Sequence, residues 1–584
     1  MEFFALKSDK MKNKLPRFFT ILICLNFVSL NSYSQVPSWA WAKGIDGVLN
    51  WRYNGLSTSV TTDGAGNIYN AGYFNSTADF DPGPGIRLMT SIGHQDIFIT
   101  KFSPTGNLIW AKSIQGRNGI SQCNTKSIKL DALGNIFIVG GFNETVDFDP
   151  GPDSFNVTAQ NQDIFLSKLD SSGNFIWAKT IGSPSTTIGS SSTTLDEFAN
   201  IIITGSFSDT IDFDPSPSNN FTLLSGGIYP HPYVAKYDSS GNFIWADVFY
   251  GDGYSIGTGS SIAVDSLGYI YSIGQFDQVI DLDPDTTTTY SLTTFGRMDI
   301  YVSKLDPAGN FVWAKQIGGR ADDGGIISID KFSNIFIAGG FRDTVDFDPG
   351  PQEYNLVPIG RLDMFITKLD SAGNFIWTKS IGGTADEFVT SATLDNASNI
   401  YFTGGFDDTV DFDPDGGVFN LSADTSVALF VVKLNSSGNF NWAKSVTNFV
   451  YGKSICLDIN NNIIISGDFY DSAYFGSFAL DTNKCYSAIF VAKLDGTVGI
   501  ETLSTNNKLN IFPNPTNDKF TIQFDTPIIE EYLLLVKNAI GQTVETISIK
   551  DPSTTIHLAQ PNGMYFLTLV TSNKIYSGKV ILQR

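Results

Sequence analysis

The chain has 584 residues, of which 42% are hydrophobic and 16% charged, and its net charge is -22. This composition supports a large core and argues against disorder. The acidic balance argues against a nucleic-acid partner, because a phosphate backbone attracts lysine and arginine. The 55 glycines and the 13% of aromatic residues are typical of short strands joined by tight turns.

Residues 1–35 have the pattern of a secretory signal peptide. Lys12, Lys14 and Arg17 precede the apolar run FFTILICLNFVSL at 18–30, and small residues follow at the spacing of a signal peptidase site. Met11 is an alternative start, since the ten residues before it add nothing to the pattern. The apolar run is shorter than the roughly 20 residues of a membrane-spanning helix. We therefore expect cleavage near residue 35 and no transmembrane segment after it.

Three cysteines, Cys123, Cys456 and Cys485, follow the signal peptide. An odd number cannot pair fully, and their spacing matches no metal-binding motif. We expect them to pack as small apolar side chains.

One unit recurs along residues 36–497. In residues 127–182, two strands joined by the turn D-A-L-G-N precede a Pro/Gly-rich excursion, and two more strands joined by D-S-S-G-N follow it. A tryptophan of the fourth strand returns every 64 to 69 residues, at Trp41, Trp110, Trp177, Trp245, Trp313, Trp377 and Trp442. Four antiparallel strands per period, labelled A to D, with seven periods, predict an all-β fold, a seven-bladed β-propeller.

The fourth strand is copied almost unchanged, as in GNFIWAKTIG at 173–182. Strand alternation places Phe175, Trp177 and Ile181 on one face and Ile176 and Ala178 on the other. Both faces are apolar, which predicts that both are buried between neighbouring blades.

The last unit ends after strand C, AIFVAKLDG at 488–496, and has no strand D. A lone copy of strand D, WAWAKGI, occurs at 39–45. Pairing of these two segments would remove an exposed edge. We therefore expect an N-terminal strand to close the ring.

The D-x-x-G-N turns and the N-F-I-W-A-K strand resemble the SBBP-type β-propeller repeats of secreted bacterial proteins. The resemblance implies the fold and does not identify a ligand, because propellers have many functions.

After a linker at 498–507, residues 508–584 lack the repeat. They resemble the type A C-terminal sorting domain of the type IX secretion system, a small β-sandwich. The matching residues are Pro513, Asn514, Pro515, Gly541, Gly563 and Tyr565. The resemblance implies that the secretion machinery is a partner and that the chain crosses the outer membrane of a Gram-negative bacterium of the Bacteroidetes type. It also implies that this domain is then removed and the protein is attached to the surface or released.

The motif Asp-x-Asp-Pro lies between strands B and C in six of the seven units. It has two interpretations: paired carboxylates that bind calcium, or a structural corner in which aspartate and proline form turns. Two units carry a third aspartate and are the leading calcium candidates, with Asp281, Asp283, Asp285, Asp411, Asp413 and Asp415. The weaker candidates are Asp79, Asp81, Asp147, Asp149, Asp212, Asp214, Asp346 and Asp348.

Catalytic signals are weak. The G-x-S-x-G match at 253–257 precedes a strand and does not form a strand-to-helix elbow. We expect a monomeric, secreted or cell-surface module that binds glycan or protein through the face that carries the B–C and D–A connections. We expect no catalytic residue, and calcium is the one cofactor suggested. The alternative is a propeller hydrolase or lyase acting on polysaccharide, and a third hypothesis is a structural surface-layer component. Binding is favoured over catalysis because catalytic residues usually interrupt a repeat with new side chains. The units of this chain instead differ mainly by loss of the repeated residues.

Overall fold

The structure is a computed structural model that describes residues 36–47, 55–183, 188–226, 228–252, 255–285, 287–321, 323–423, 426–482, 487–496, 509–524, 532–538, 543–570 and 575–584. The regular secondary structure in these ranges is β throughout. The signal peptide, the linker at 498–507, Gly541 and Cys485 lie outside the described residues.

The repeats form four-stranded antiparallel sheets in the order A-B-C-D, and we number these sheets as blades 1 to 7. Strands A are Gly55–Thr62, Cys123–Leu130, Ile188–Leu195, Gly257–Val264, Gly324–Ile329, Glu387–Leu394 and Val450–Leu457. Strands B are Ile68–Phe74, Ile136–Asp147, Ile201–Phe207, Ile270–Asp281, Ile335–Phe341, Ile400–Phe406 and Ile463–Phe469. Strands C are Asp96–Phe102, Asn156–Leu169, His231–Tyr237, Ser291–Leu305, Asp363–Leu369, Ala428–Leu434 and Ala488–Leu494. Strands D are Leu108–Gly116, Phe175–Ile181, Phe243–Val248, Phe311–Gly319, Phe375–Ile381 and Phe440–Val446, with Trp39–Gly47 in blade 7.

Short ribbons extend the B–C connections. They pair Thr77–Asp79 with Leu88–Thr90, Thr210–Asp212 with Thr222–Leu224, Val345–Asp346 with Asn355–Leu356, Thr409–Asp411 with Asn420–Ser422, and Ser472–Phe475 with Phe478–Asp481. In blades 2 and 4 the ribbon is continuous with strands B and C. The two-residue strand Tyr250–Gly251 pairs with the ribbon of blade 4.

The turn sequence explains the hairpins. In the C–D turn of blade 2, Asp170 Oδ1 accepts hydrogen bonds from the amides of Ser172 and Asn174, at 2.8 and 2.9 Å. Gly173 then takes a φ of +78°, a left-handed conformation that a side chain disfavours. The same turn recurs in other blades because the same residues recur.

The turn glycine also explains why strand D is copied so closely. A Cβ atom at Gly241 in blade 3 would lie 2.9 Å from the Trp177 ring of blade 2. A Cβ atom at Gly106 in blade 1 would likewise lie 2.9 Å from the Trp41 ring. Each turn therefore fits against the tryptophan of the preceding blade, and both residues are repeated together.

The expectation that strand D is buried on both faces is wrong at its start. In blade 2, Leu169 pairs with Phe175 and Lys168 with Trp177, so Ile176 is the extra residue of a β-bulge. The bulge turns Ile176 outward and leaves it 46% exposed, whereas Ala178 and Ile181 further along the strand are buried.

The strands A lie next to one another in cyclic order, and strand A of blade 7 contacts strand A of blade 1. A strand at the edge of a sheet has backbone amides without sheet partners. Several of these amides donate to a serine of the preceding blade: Val60 N to Ser454 Oγ at 3.1 Å, Ile128 N to Ser59 Oγ at 3.2 Å, Ile262 N to Ser192 Oγ at 3.3 Å, Ile327 N to Ser261 Oγ at 3.3 Å, and Ile455 N to Ser391 Oγ at 3.2 Å. The first of these bonds joins the last blade to the first.

The N-terminal strand takes the place that the sequence predicts. Trp39–Gly47 pairs antiparallel with strand C of blade 7, with Lys43 opposite Val491. The Trp41 indole nitrogen also donates to Pro104 O in blade 1 at 3.2 Å. This strand therefore completes blade 7 and contacts blade 1, which makes the repeat a closed propeller.

The described residues from 509 onward form two further sheets. One consists of Asn510–Phe512, Lys519–Gln523 and Ser553–His557, and the other of Thr543–Ile549, Tyr532–Lys537, Gly563–Val570 and Ile575–Leu582. Phe520 of the first sheet and Leu534 and Leu567 of the second belong to one buried cluster. The two sheets therefore share a core, as in a β-sandwich.

Candidate functional site

In the six Asp-x-Asp-Pro corners, aspartate carboxylates accept hydrogen bonds from backbone amides of the same corner. In blade 5, Asp346 Oδ1 accepts from the amides of Asp348, at 3.0 Å, and Tyr354, at 2.8 Å. Asp348 Oδ1 accepts from the Gly350 amide at 2.8 Å. The first aspartate accepts the same two kinds of bond in the other five corners, at Asp79, Asp147, Asp212, Asp281 and Asp411.

The residue between the two aspartates is part of the core. Phe347 is fully buried and its ring contacts Phe341 of strand B and Phe365 of strand C. Equivalent buried residues are Phe80, Phe148, Phe213, Leu282 and Phe412. Because alternate residues of a strand face opposite ways, burial of this residue turns both aspartates toward the loop.

Each corner also contacts the preceding blade. Asp346 pairs through its backbone with Gly318, at the end of strand D of blade 4. The other such pairs are Asp46 with Asp79, Gln115 with Asp147, Gly182 with Asp212, Tyr250 with Asp281, and Gly382 with Asp411. The corners therefore join neighbouring blades through their backbone.

The third aspartates of blades 4 and 6 have other partners. Asp285 Oδ1 accepts from the Thr287 amide at 2.9 Å, and Asp415 Oδ1 lies 2.6 Å from Lys379 Nζ. Across the described ranges, no group of three or more His, Cys, Asp or Glu side chains is arranged to hold a metal ion. These contacts favour the interpretation of the motif as a structural corner, and calcium binding at the corners stays a prediction.

A polar cavity of about 540 Å³ lies between the strands A of all seven blades, and we call it the central channel. Three lysines line it, Lys126, Lys129 and Lys453, with hydroxyl-bearing residues from several blades. Its described lining residues include no aspartate or glutamate. These lysines were not predicted from the sequence, because strand A is the least regular strand of the repeat. The signal that could have identified them is KSIK at 126–129, a doubly basic stretch in an acidic chain.

A buried carboxyl group, also unanticipated, lies between blades 5 and 6. Glu387, the first residue of strand A in blade 6, is fully buried. Neither carboxylate oxygen has a hydrogen-bond partner, and the Gly383 amide faces the group without forming a regular hydrogen bond. Burial, with repulsion from Asp363 and two neighbouring aspartates, raises the pKa of Glu387 to about 8. The group is therefore mostly protonated at neutral pH.

The two cysteines within the described residues pack as predicted. Cys123 is fully buried and Cys456 is half-buried, and both are free thiols. Burial raises the pKa of Cys456 to about 12, so this thiol is not activated.

In the C-terminal sheets, Asn514 holds the last strand. Its Nδ2 donates to Lys579 O at 2.6 Å, and its Oδ1 accepts from the Ile581 amide at 2.9 Å. Pro513 and Pro515 flank it in cis peptide bonds. Tyr565 is buried and donates to Pro561 O at 2.8 Å, while Gly563 begins the strand that pairs with the last one. These predicted motif residues therefore lie in, or next to, the pairing of the final strands.

Comparison with known proteins agrees with the two folds. Residues 510–583 match the family described as "Secretion system C-terminal sorting domain". An uncharacterized WD repeat-containing protein of Acanthamoeba polyphaga mimivirus is 25% identical over 493 residues, which cover 70% of this chain and 35% of the relative. The chain thus spans about a third of that relative's length.

Among solved structures, a protein of unknown function from Bacteroides caccae is similar over 60% of this chain and 89% of that one, with 9% identity and a TM-score of 0.29. Within the described part of the chain, no helix is long and apolar enough to cross a membrane.

The fold and the matched tail define the class of protein: an all-β repeat protein of the propeller type with a type IX sorting tail. It is exported by the type IX secretion system and is a secreted or cell-surface protein of the Bacteroidetes type.

Proposed function

We propose that the mature protein is a monomeric, seven-bladed propeller of the SBBP type that binds glycan or protein outside the cell. Residues 1–35 are its signal peptide, 36–497 the propeller, 498–507 a linker and 508–584 the sorting domain. The sorting-tail match supports its place outside the cell. The type IX secretion machinery is its export partner.

The observation that carries the binding function is the central channel. Its volume of about 540 Å³ is within the range of about 300–1,000 Å³ typical of small-ligand sites. Its lining offers serine and threonine hydroxyls and lysine amines, which suit the polar groups of a glycan. A polysaccharide hydrolase or lyase is the alternative.

A glycan array probed with the secreted protein tests the proposal. We expect binding to a limited set of glycans, and the bound glycans should be released unchanged. A reducing-sugar assay on the same sample separates binding from catalysis, because a hydrolase or lyase would generate new reducing ends. Failure to bind any glycan on the array, together with failure to retain any protein of the cell envelope, would contradict the proposal.

A further inference from the structure

We propose that the central channel binds an acidic sugar, one that carries a carboxylate or sulfate group on a hydroxyl-rich ring. This inference rests on the proposed binding function and names the class of ligand.

The charge of the channel is opposite to that of the chain. The protein carries a net charge of -22, yet the ionisable residues found along the channel are lysines. In the described part of the chain, neither Lys126 nor Lys129 has a carboxylate within ion-pair distance, while Lys453 lies 3.9 Å from Asp468. Like charges in a partly enclosed space repel one another, and a bound anion relieves that repulsion.

The geometry of strand A explains why two of these lysines line the channel. Thr125 pairs with Gly140 and Ser127 with Val139, so Lys126 is the extra residue of a bulge. Lys453 occupies the equivalent bulge in blade 7, between Gly452 and Ser454. A bulge takes its residue out of the ordinary alternation of the strand, and here the bulge residue belongs to the channel lining.

The hydroxyl groups add donors. Ser59, Ser192 and Ser454 each accept a backbone amide of the next blade. A serine whose oxygen accepts in this way keeps its own hydrogen as a donor.

The size and the lining of the channel favour a sugar over a bare inorganic anion. Its volume of about 540 Å³ is within the range of about 300–1,000 Å³ typical of small-ligand sites. Its serine and threonine hydroxyls also suit the ring hydroxyls of a sugar, which phosphate and free sulfate lack.

Calorimetry on the secreted protein tests the proposal with three probes: glucuronate, N-acetylglucosamine 6-sulfate and glucose. We expect at least one acidic sugar to bind, and to bind less tightly as salt rises, because salt screens the lysine charges. Glucose should bind about ten-fold more weakly or not at all, since a hydrogen bond to a charged group contributes about 1.5–3 kcal/mol and 1.4 kcal/mol is ten-fold.

The test variant is Lys126→Gln with Lys129→Gln, and its control is Arg342→Gln. Arg342 follows strand B on a B–C connection, is exposed, and does not line the channel. The control therefore removes positive charge outside the site. We expect the double variant to lose about ten-fold in affinity or more, and the control to bind like the parent. Equal melting temperatures will show that the double variant is folded.

Two calorimetric results would overturn the inference. One is the absence of binding by both acidic sugars, and the other is binding that the double substitution leaves unchanged. A glycan array in which only neutral glycans bind would overturn the acidic-sugar assignment while the proposed binding function stands. If the array shows no bound glycan and the protein also retains no protein of the cell envelope, both the acidic-sugar inference and the proposed binding function are contradicted.

Discussion

At Asp411, one carboxylate oxygen accepts the amides of Asp413 and Phe419, at 3.1 and 2.8 Å. The second oxygen has neither of these bonds. The same side chain can therefore form the corner with one oxygen and offer the other to a cation. Asparagine separates the two roles, because its amide oxygen still accepts hydrogen bonds while its charge is gone.

The first prediction concerns the corner itself. We expect Asp411→Ala to lower the free energy of unfolding by about 1–3 kcal/mol, because two backbone amides lose their acceptor. Asp411→Asn should cost clearly less. Chemical denaturation of the two variants and the parent measures the difference. Equal losses for alanine and asparagine would mean that the corner depends on charge and not on the acceptor.

The second prediction concerns calcium. Calcium sites of extracellular modules have dissociation constants of about 0.1–1 mM, and a ligand at 10 times its dissociation constant adds about 1.4 kcal/mol of stability. Millimolar calcium should raise the melting temperature more than magnesium does. Asp411→Asn with Asp413→Asn should shrink that rise. Identical melting curves with calcium and with a chelator, and no heat of binding, would leave the aspartates as turn formers alone.

The third prediction concerns Glu387, whose pKa is raised to about 8 in the folded protein by burial. An unfolded glutamate ionises near pH 4.3. Between these values the folded state holds a proton that the unfolded state has lost, so the contribution of this group to stability falls as pH rises. We expect Glu387→Gln to remove this dependence and to be more stable relative to the parent at pH 8 than at pH 5. Asp247 and Asp468, with pKa values raised to about 7, titrate in both proteins and cancel in the comparison. A constant difference at the two pH values would show that Glu387 is ionised in the fold.

At the scale of the strand, neighbouring blades are joined by the same contacts again and again. In blade 3, Lys236 Nζ lies 3.0 Å from Asp196 of its own A–B turn and donates to Pro307 O of blade 4 at 3.4 Å. In blade 7, Lys493 lies 2.9 Å from Asp458 and donates to Pro104 O of blade 1 at 3.4 Å. The junction between the last and first blades thus repeats the contacts within the array.

The fourth prediction concerns the strand that completes this junction. Deletion of residues 36–47 from the mature protein should expose the edge of Ala488–Leu494 and remove the Trp41 ring from the Gly106 turn. We expect aggregation or a large fall in melting temperature, because an exposed strand edge pairs with other chains. Light scattering and thermal melting compare the deleted and parent proteins. A monomer that melts like the parent would contradict the closure of the ring by this strand.

At the scale of the whole molecule, the C-terminal module is the part of the chain that indicates export, because residues 510–583 match the sorting-domain family. Its final strand is held by Asn514 and pairs along its length with Gly563–Val570. The motif that identifies the sorting family therefore lies beside the last strand of the chain.

The fifth prediction concerns export. A chain truncated at about residue 505 should accumulate in the periplasm of a type IX-competent host, because it lacks the matched segment 510–583. When the full-length chain is expressed, the product found outside the cell should have lost roughly its last 70 to 80 residues, the approximate length of that segment. Cell fractionation and mass spectrometry measure both outcomes. Normal secretion of the truncated chain would show that the signal lies elsewhere.

Local sequence is enough to predict most of the fold. The Asp-x-x-Gly-Asn turns act within five residues, and the strand pattern repeats with the tryptophans. The partner of WAWAKGI could also be deduced, because one repeat lacks strand D. The bulge at Ile176 could not be predicted from local sequence, because a one-residue shift in pairing depends on the neighbouring strand.

By itself, the sequence determined the all-β class, the order of the strands, the N-terminal closure and the sorting tail. Each of these features depends on short motifs or on the spacing at which those motifs repeat. Only the tertiary structure decided which residues meet across blades. Glu387 is buried beside Asp363, Ser454 accepts the amide of Val60, and Lys126 and Lys453 line one channel. These contacts join residues far apart in the chain, and burial and electrostatics depend on that proximity in space.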